Sequence, residues 1–320
     1  MEPEITNHSQ PWKHKICAVV ITFNPDEKLI SLLYELGKQV DHVILIDNAS
    51  SNANLEHIEK ARQFQDLTLF ENSENLGVAA ALNQGFEKAD LLGYEWVITF
   101  DQDSMPAGDM VQRLWMLQEP HERSSDIAIV APNILDIGSG RSSSFLQRRT
   151  QFLYERVMCG QSALKDITTV ITTGAMLRMD AFKAAGGFRE DLFIDYVDTD
   201  FCLRLLQHGY RIWVACDAVL HHTFGSRRKI KKGPIVLFPT FHSPERWYTI
   251  SRNRIQMIKS YGFRFPHWLF YETVATCFIL FRMVLTEDQK IPKISALIKG
   301  TWDGFRGKLG KPPWANKDTE

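Results

Sequence analysis

Two aspartates one residue apart close an apolar run in the stretch Val97-Ile98-Thr99-Phe100-Asp101-Gln102-Asp103-Ser104. In an extended segment, alternate side chains point to the same side. Asp101 and Asp103 therefore converge just beyond the carboxyl end of a strand, where open α/β sheets bind their ligands. Convergent carboxylates repel unless a cation lies between them or one takes up a proton. A few hard oxygen donors suit Mg²⁺ or Mn²⁺, ions that keep waters and bind through a substrate's phosphates. The plainer reading is a solvated strand-to-helix turn, with Ser104 or Asp103 capping a helix before Pro106.

Other chemistry-bearing residues sit at comparable breaks. Thr22-Phe23-Asn24-Pro25 ends the first apolar run and passes for an ordinary turn. Asp47-Asn48 ends the second, followed by Ser50-Ser51. A carboxylate there can accept from the imide N–H of a pyrimidine base or from ribose hydroxyls, and an Asx turn explains it as well. In the segment 72–85, Gly77 and the small residues after it let a helix start lie close to a ligand. Asn75 precedes that start and Asn83 lies two turns inside it; helix packing accounts for the same residues. Asp195, Asp198 and Asp200 place three acids within six residues, of which capping and the helix dipole explain one. His221-His222 ends a strand-like run, where His222 is either a structural histidine or a third metal ligand.

The elements that must position these residues alternate. Residues 16–23 form a continuous apolar, β-rich run of the kind expected for a doubly buried parallel strand. A helix is predicted from 26 to 39 with Leu29, Leu32, Leu33 and Leu36 on one face, then a strand over 42–46 and a helix from about 54. A strand over 67–70, a helix through Ala79, Leu82 and Phe86, and a strand over 95–100 follow. This alternation predicts βαβ units and a parallel sheet covered on both faces. Strands are predicted over 127–134, 167–171, 212–215 and 217–220, helices over 180–185 and 198–208, and a surface loop over the Ser-rich piece 138–144. From residue 244 the pattern turns helical and basic, with helices over 244–260, 268–285 and 294–305. The expected division is a tail over 1–14, a catalytic body over 15–225 and a helical region over 226–320.

The 320 residues carry 37 basic and 38 acidic side chains, a net charge of −1 that argues against a general nucleic-acid binder. A basic cluster, Arg227-Arg228-Lys229-Ile230-Lys231-Lys232, stands out locally. Cys17, Cys159, Cys202, Cys216 and Cys277 are dispersed without CxxC spacing, which suits reduced thiols in a cytosolic compartment. The polar tail over 1–14 has no secretory apolar core. The most apolar stretch, 267–285, contains Glu272 and Arg282 and is expected to be buried or to lie at a membrane surface. Its aromatics Trp268, Phe270, Tyr271, Phe278 and Phe281 suit an interface; packing on the catalytic body or a homo-oligomer contact is the alternative.

In their order these residues resemble the inverting family 2 glycosyltransferases of the GT-A fold, over roughly residues 15–260. The family's opening strand end matches Thr22-Phe23-Asn24, and its second-strand motif matches Asp47-Asn48-Ala49-Ser50. The helix-start motif matches Asn75-Leu76-Gly77 with Asn83, and the metal motif matches Asp101-Gln102-Asp103. Thr173-Gly174-Ala175-Met176 and Gly186-Gly187-Phe188 match the acceptor side, His222 the metal-binding histidine, and Arg246-Trp247-Tyr248 with Arg252-Asn253 a family helix. The acidic pair carrying the base is Val197-Asp198 here, so its first acid is replaced, with Asp195 and Asp200 alongside. Asp-Gln-Asp-Ser together with Phe-Ile-Asp-Tyr-Val-Asp is similar to the rhamnosyltransferases of bacterial surface polysaccharide assembly.

The resemblance implies a Rossmann-like, mostly parallel mixed sheet and transfer of a sugar from a nucleotide diphosphate to an acceptor hydroxyl with inversion. It implies Mg²⁺ or Mn²⁺ held by Asp103 and His222, with Asp101 among the ligands or nearer the ribose, and Asp198 as base. Thr22, Asn24, Asp47, Asn75, Asn83, Asp101 and Gln102 fall on the donor side. dTDP-rhamnose is the expected donor, with a UDP-hexose as the alternative. The expected acceptor is a lipid-linked oligosaccharide at the cytoplasmic face of a bacterial inner membrane. A nucleotidyltransferase would want a Gly-rich basic loop after the first strand, which Thr22-Phe23-Asn24-Pro25 does not offer. A non-catalytic nucleotide-sugar or glycan-binding relative would have lost metal and base residues that are all present here.

Overall fold

Strand β1 (Ile16–Thr22) is buried along its whole length. Its alternate side chains feed two cores: Cys17, Val19 and Ile21 on one face, Ile16, Ala18 and Val20 on the other. A strand covered on both sides needs no polar alternation, which is why its sequence is continuously apolar. The computed structural model describes residues 12–51, 54–118, 126–138, 140–150, 153–161, 163–223, 230–232, 235–237 and 241–315.

Helix α1 (Lys28–Gly37) buries Leu29, Leu32, Leu33 and Leu36 as one stripe. β2 (Val43–Asp47), α2 (Leu55–Ala61), β3 (Leu67–Glu71), α3 (Val78–Leu91) and β4 (Trp96–Asp101) complete the predicted alternation. β5 (Met105–Pro106), α4 (Met110–Gln118), β6 (Ile127–Asp136) and β7 (Arg141–Ser142) follow, then β8 (Ser144–Arg148), β9 (Tyr154–Met158) and β10 (Ile167–Thr169). β11 (Met176–Arg178) leads through α5 (Met179–Ala185) and α6 (Val197–Gln207) to β12 (Arg211–His222). A hairpin of β13 (Ile230–Lys232) and β14 (Ile235–Leu237) precedes α7 (Pro244–Tyr261), α8 (Pro266–Thr286) and α9 (Lys290–Phe305).

The main sheet runs β3-β2-β1-β4-β11-β6-β12-β5, with β7 on β6. β1 pairs in parallel with β2 and β4, and β6 with β12, while β11 inserts antiparallel between β4 and β6. The chain steps outward from β1 to β3 and then returns to β4 on the other side of β1. That reversal opens a crevice beyond the carboxyl ends of β1 and β4. The register fixes what stands there: Thr22 lies opposite Asp47, and Ile21 opposite Asp101.

Several expectations change. The Ser-rich piece is not a plain surface loop: Arg141 and Ser142 pair with β6, and Ser144 opens β8 of a separate β10-β8-β9 sheet. Those strands carry exposed polar residues and little alternation, so periodicity does not reveal them. The two runs 212–215 and 217–220 are one strand, β12, with a register irregularity between Ala215 and Val219. Cys159 and Cys216, 57 residues apart, form a disulfide across a Cα separation of 5.2 Å, so the five cysteines are not all reduced thiols. The pairing arises because the fold brings the end of β9 onto β12, which spacing along the chain does not encode.

In the C-terminal region α7 starts at the Ser243 cap, with Pro244 in its first turn. It joins the body through a cluster of Leu203, Met257, Tyr261 and Trp268. Trp268 is thus buried and not available to an interface. α9 lies against α7 at glycine-only distance: a Cβ on Gly300 or Gly304 would stand 2.2 or 2.6 Å from the Tyr248 or Arg252 carbonyl oxygen. α8 is not buried as a core helix. It is long and apolar enough to cross a membrane, with mean hydropathy 1.5 in its most apolar window and 6% of that window buried. Phe270, Val274, Phe278 and Phe281 are exposed along it, as are Ile291, Ile298 and Trp302 on α9. Residue 225, the tail before residue 12 and Arg227-Arg228-Lys229 lie outside the described residues.

Candidate active site

At the sheet's carboxyl edge, Gln102 ties two strand ends together. Its Oε1 accepts from Thr22 Oγ1 at 2.6 Å and from the Phe23 N–H at 2.8 Å. Asn24, at φ 50°, accepts the Ser51 N–H on Oδ1 at 2.7 Å and donates its own N–H to Ser50 Oγ at 2.8 Å. Ser50 in turn donates its N–H to Asp47 Oδ2 at 3.0 Å and its hydroxyl to Asp47 Oδ1. Asp47 therefore forms the Asx turn, and each of its oxygens retains a second lone pair for a ligand. Burial pushes its carboxyl above the usual range, against the opposing Ser50 bonds.

Asn48, which sequence reasoning passed over as a site residue, organises the loop before α3. Its Oδ1 accepts the Leu76 N–H at 3.0 Å and the Asn72 side chain at 3.2 Å. Its Nδ2 donates to Asn75 Oδ1 at 3.0 Å, which also accepts the Gly77 N–H at 2.9 Å. Asn75 thus shapes the loop. Gly77 has φ 87°, and a Cβ there would stand 2.6 Å from the ring and carbonyl oxygen of Phe193. Asn83 is committed elsewhere: Nδ2 donates to the Phe188 carbonyl at 2.9 Å and to Glu190 at 2.8 Å, and Oδ1 accepts the Phe188 N–H at 2.8 Å.

Asp101, Asp103 and His222 bring one donor atom each to within 4.8 Å of one another. Asp101 ends β4, Asp103 sits on the turn after it, and His222 ends β12 beside β5. No helix starts at this turn; α4 begins only at Met110. Ser104 Oγ lies instead 2.9 Å from His222 Nδ1 and 2.8 Å from Thr173 Oγ1, which accepts the Asp101 N–H at 3.0 Å. This buried chain orients the imidazole, as supporting hydrogen bonds do in metal sites. Burial raises the Asp101 carboxyl, Asp103 adds to the rise, and the charges of His222 and Arg246 oppose it. Two carboxylates and an imidazole so placed are a group that could hold a divalent metal ion.

The three acids near α6 have separate fates. Asp200 is wholly buried and paired with Arg204 at 2.7 Å, Arg189 at 3.2 Å and the Tyr261 hydroxyl at 2.7 Å. Asp195 Oδ1 accepts from Arg246 at 2.7 and 2.9 Å. Asp198 accepts on Oδ1 from Thr172 Oγ1 at 2.9 Å, and its carboxyl is raised to about 7. Burial is the main cause, with the Asp101 and Asp195 charges adding and the Thr172 bond opposing.

The segment leading to Asp198 is strained. Phe193, Asp195 and Tyr196 all have φ near +64°, a region costly for residues with a Cβ. α7 holds them there. Asn253 Nδ2 reaches the carbonyls of Leu192, Ile194 and Asp195 at 2.9, 2.7 and 3.1 Å, and Arg252 reaches that of Leu192 at 3.2 Å. Arg254 donates to the Tyr196 hydroxyl and to Glu272 of α8, both at 3.1 Å, and the Tyr196 hydroxyl donates to Glu272. The sequence signal for this clamp is the Arg-Asn pair at 252–253.

A sequence model described as Glycosyl transferase family 2 matches residues 17–186. The chain is 29% identical to the dTDP-rhamnosyl transferase RfbF of Shigella flexneri, over 92% of this chain and 97% of that protein. Among solved structures it resembles S. aureus TarS 1-349 in complex with UDP-GlcNAc, with TM-score 0.58 and 17% identity over 95% of this chain and 84% of that one. Of another TarS chain it spans 39%, with TM-score 0.51 and 18% identity. GalNAc-T7 with UDP, GalNAc and Mn²⁺ aligns with TM-score 0.57 and 15% identity over 95% of this chain and 57% of that one. These likenesses identify the fold as GT-A, in agreement with the mixed sheet and its crevice. With the family model covering more than half its length, from β1 through α5, this chain belongs to glycosyl transferase family 2 and is a glycosyltransferase.

Proposed function

We propose that the chain is a metal-dependent inverting enzyme that moves L-rhamnose from dTDP-rhamnose to a hydroxyl of a lipid-linked surface-polysaccharide intermediate. The observation that carries this is the grouping of Asp101, Asp103 and His222 with Asp198 near enough for the Asp101 charge to raise its carboxyl. The rhamnosyl relative supports the donor. A UDP-hexose on the same residues is the second reading, favoured by the UDP-GlcNAc complex of TarS.

Asp198 accepts the proton of the acceptor hydroxyl as its oxygen attacks the anomeric carbon from the face opposite the diphosphate. A carboxyl raised to about 7 is a stronger base than an ordinary aspartate and still ionises near neutrality. Asp101, Asp103 and His222 would hold Mg²⁺ or Mn²⁺, which supplies positive charge to the departing nucleoside diphosphate. Arg246, anchored on Asp195 and acting on Asp101, adds a fixed cation to the same region. Asp47 reads the base, while Thr22, Asn24 and Gln102 form the floor beneath the nucleotide.

Nucleotide sugars are highly charged and do not cross bilayers, so we place the reaction at the cytoplasmic face of the bacterial inner membrane. The exposed apolar face of α8 suits contact with that surface. One side of α8 is tied to the catalytic body through Glu272, which favours lying on the membrane over crossing it.

The test is a thermal-shift and hydrolysis panel with dTDP-rhamnose, UDP-glucose, UDP-galactose and UDP-N-acetylglucosamine, each with Mn²⁺, Mg²⁺ or EDTA. Selective, metal-dependent stabilisation by dTDP-rhamnose is expected. A preference for a UDP-sugar keeps the mechanism and replaces the donor. Silence with every nucleotide sugar overturns the reading.

A further inference from the structure

A cleft of about 520 Å³ opens beside Asp198. Its volume falls within the usual range for small-molecule sites, about 300–1,000 Å³. Asp198 and Thr199 line one part of it; Asp136, Arg141, Ser142 and Arg156 line others. None of Thr22, Asn24, Asp47, Asp101 or Asp103 contributes to its lining. These hydroxyls, guanidinium groups and carboxylates stand among apolar side chains such as Ile134, Phe145 and Leu146, a mixed lining suited to a sugar, with arginines suited to an anion.

Arg156 stands where this cleft meets α8. Its Nη2 donates to the Tyr271 hydroxyl at 2.7 Å, and its guanidinium carbon lies 5.7 Å from the Tyr271 ring centre. β9 and α8 touch again through Tyr154, whose ring packs edge-on against His267 and Tyr271. From Asp198 the surface therefore runs through a cleft of mixed polarity to Arg156 and, through Tyr271, to a helix with an exposed apolar face. Its complement is a sugar, then an anion, then an apolar chain.

We infer that Arg156 is the anion-recognising residue of the acceptor site and binds the phosphate or diphosphate that joins the acceptor's sugar to its lipid. The inference rests on the lipid-linked acceptor proposed above and assigns a residue to its phosphate. The guanidinium, held by Tyr271, offers its remaining donors to the phosphate oxygens, in the forked geometry that arginine provides. The sugar hydroxyl is thereby presented to Asp198 while the lipid lies along α8.

The test measures binding, so that it does not depend on turnover. A short-chain alkyl diphosphate N-acetylglucosaminide and the matching phosphate-free alkyl glycoside are titrated onto the full chain in the presence of dTDP and Mn²⁺. The wild type is expected to prefer the diphosphate compound by at least about tenfold, the worth of a charge-assisted hydrogen bond. Arg156→Gln abolishes that preference, Arg156→Lys restores part of it, and stabilisation by dTDP persists as the control for folding. No preference in the wild type, or one that survives Arg156→Gln, overturns the inference. A parallel arm uses vesicles of phosphatidylcholine with phosphatidylglycerol. If Arg156→Gln loses vesicle binding but keeps the soluble preference, Arg156 reads bilayer headgroups and the acceptor role fails. Failure of the proposed function is seen separately, as absence of any response to nucleotide sugars.

Discussion

The Thr172 hydroxyl donates to Asp198 Oδ1 over 2.9 Å, and this bond opposes the burial that raises the Asp198 carboxyl to about 7. Because burial disfavours the charged form, the acid limb of the rate profile moves up from the ordinary aspartate range. Activity is expected to fall with unit slope as the pH drops through about 7. Thr172→Val removes the opposing bond, so the limb shifts further upward and the rate at neutral pH declines. A limb near 4, or one unmoved by Thr172→Val, refutes the assignment.

Asp198→Asn is expected to lower kcat by about 10²–10⁴-fold with donor affinity retained, the usual contribution of a positioned base. The same variant tests stability. A raised native pKa means the folded state binds the extra proton, so ionising Asp198 weakens folding as pH rises from about 4 to above 7. Asp198→Asn should therefore unfold at a higher temperature than the wild type at pH 8. The gain, on the order of a few kcal/mol at most, vanishes at pH below 4. Thermal scans at both pH values check this.

Ser104 lies between His222 and Thr173 and has no ligand atom of its own in the three-residue group. Ser104→Ala removes this hydrogen bond to the imidazole, and apparent Mn²⁺ affinity is expected to drop about 10–100-fold, as for other residues that support metal ligands. A titration followed by Mn²⁺ paramagnetic resonance reads this directly. Unchanged affinity means His222 is oriented by something else.

Asn253 satisfies three carbonyls of the strained segment from a wholly buried position. Asn253→Ala removes this donor from the Ile194 and Asp195 carbonyls, while that of Leu192 keeps Arg252 and the Ile194 N–H, at about 1–3 kcal/mol for each buried group left unpaired. Expected are a stability loss of roughly 2–4 kcal/mol in urea and a fall in kcat that exceeds the change in donor affinity. Retained kcat in the folded variant disproves the positioning role.

Phe278 and Phe281 are exposed on α8, so Phe278→Glu with Phe281→Glu should leave the unfolding midpoint nearly unchanged. Co-sedimentation with anionic liposomes is expected to be lost. Wild-type protein that stays in the supernatant at low salt contradicts the membrane role, and concentration-dependent loss of self-association on mutation assigns this face to an oligomer.

Much of this protein was legible in one dimension because its signals are local. β1, β2 and β4 read as strands since burial on both faces demands unbroken apolar runs, and the residues ending them mark the carboxyl edge of the sheet. Leucines at helical spacing drew α1, and the Asp101-Gln102-Asp103 turn announced converging carboxylates. What only the tertiary structure decided are relationships between residues far apart in the chain. Ser104 meets His222 across 118 positions, Asn83 meets Phe188 across 105, and Asn253 meets Leu192 across 61. Asp195, Asp198 and Asp200 are the same side chain in one short segment; Arg246, Thr172 and the Arg189–Arg204 pair give them different tasks. The Cys159–Cys216 bond and the small β10-β8-β9 sheet have the same origin. Periodicity records which face of an element is buried, but the identity of the neighbour across that face follows from chain topology, which no local pattern carries.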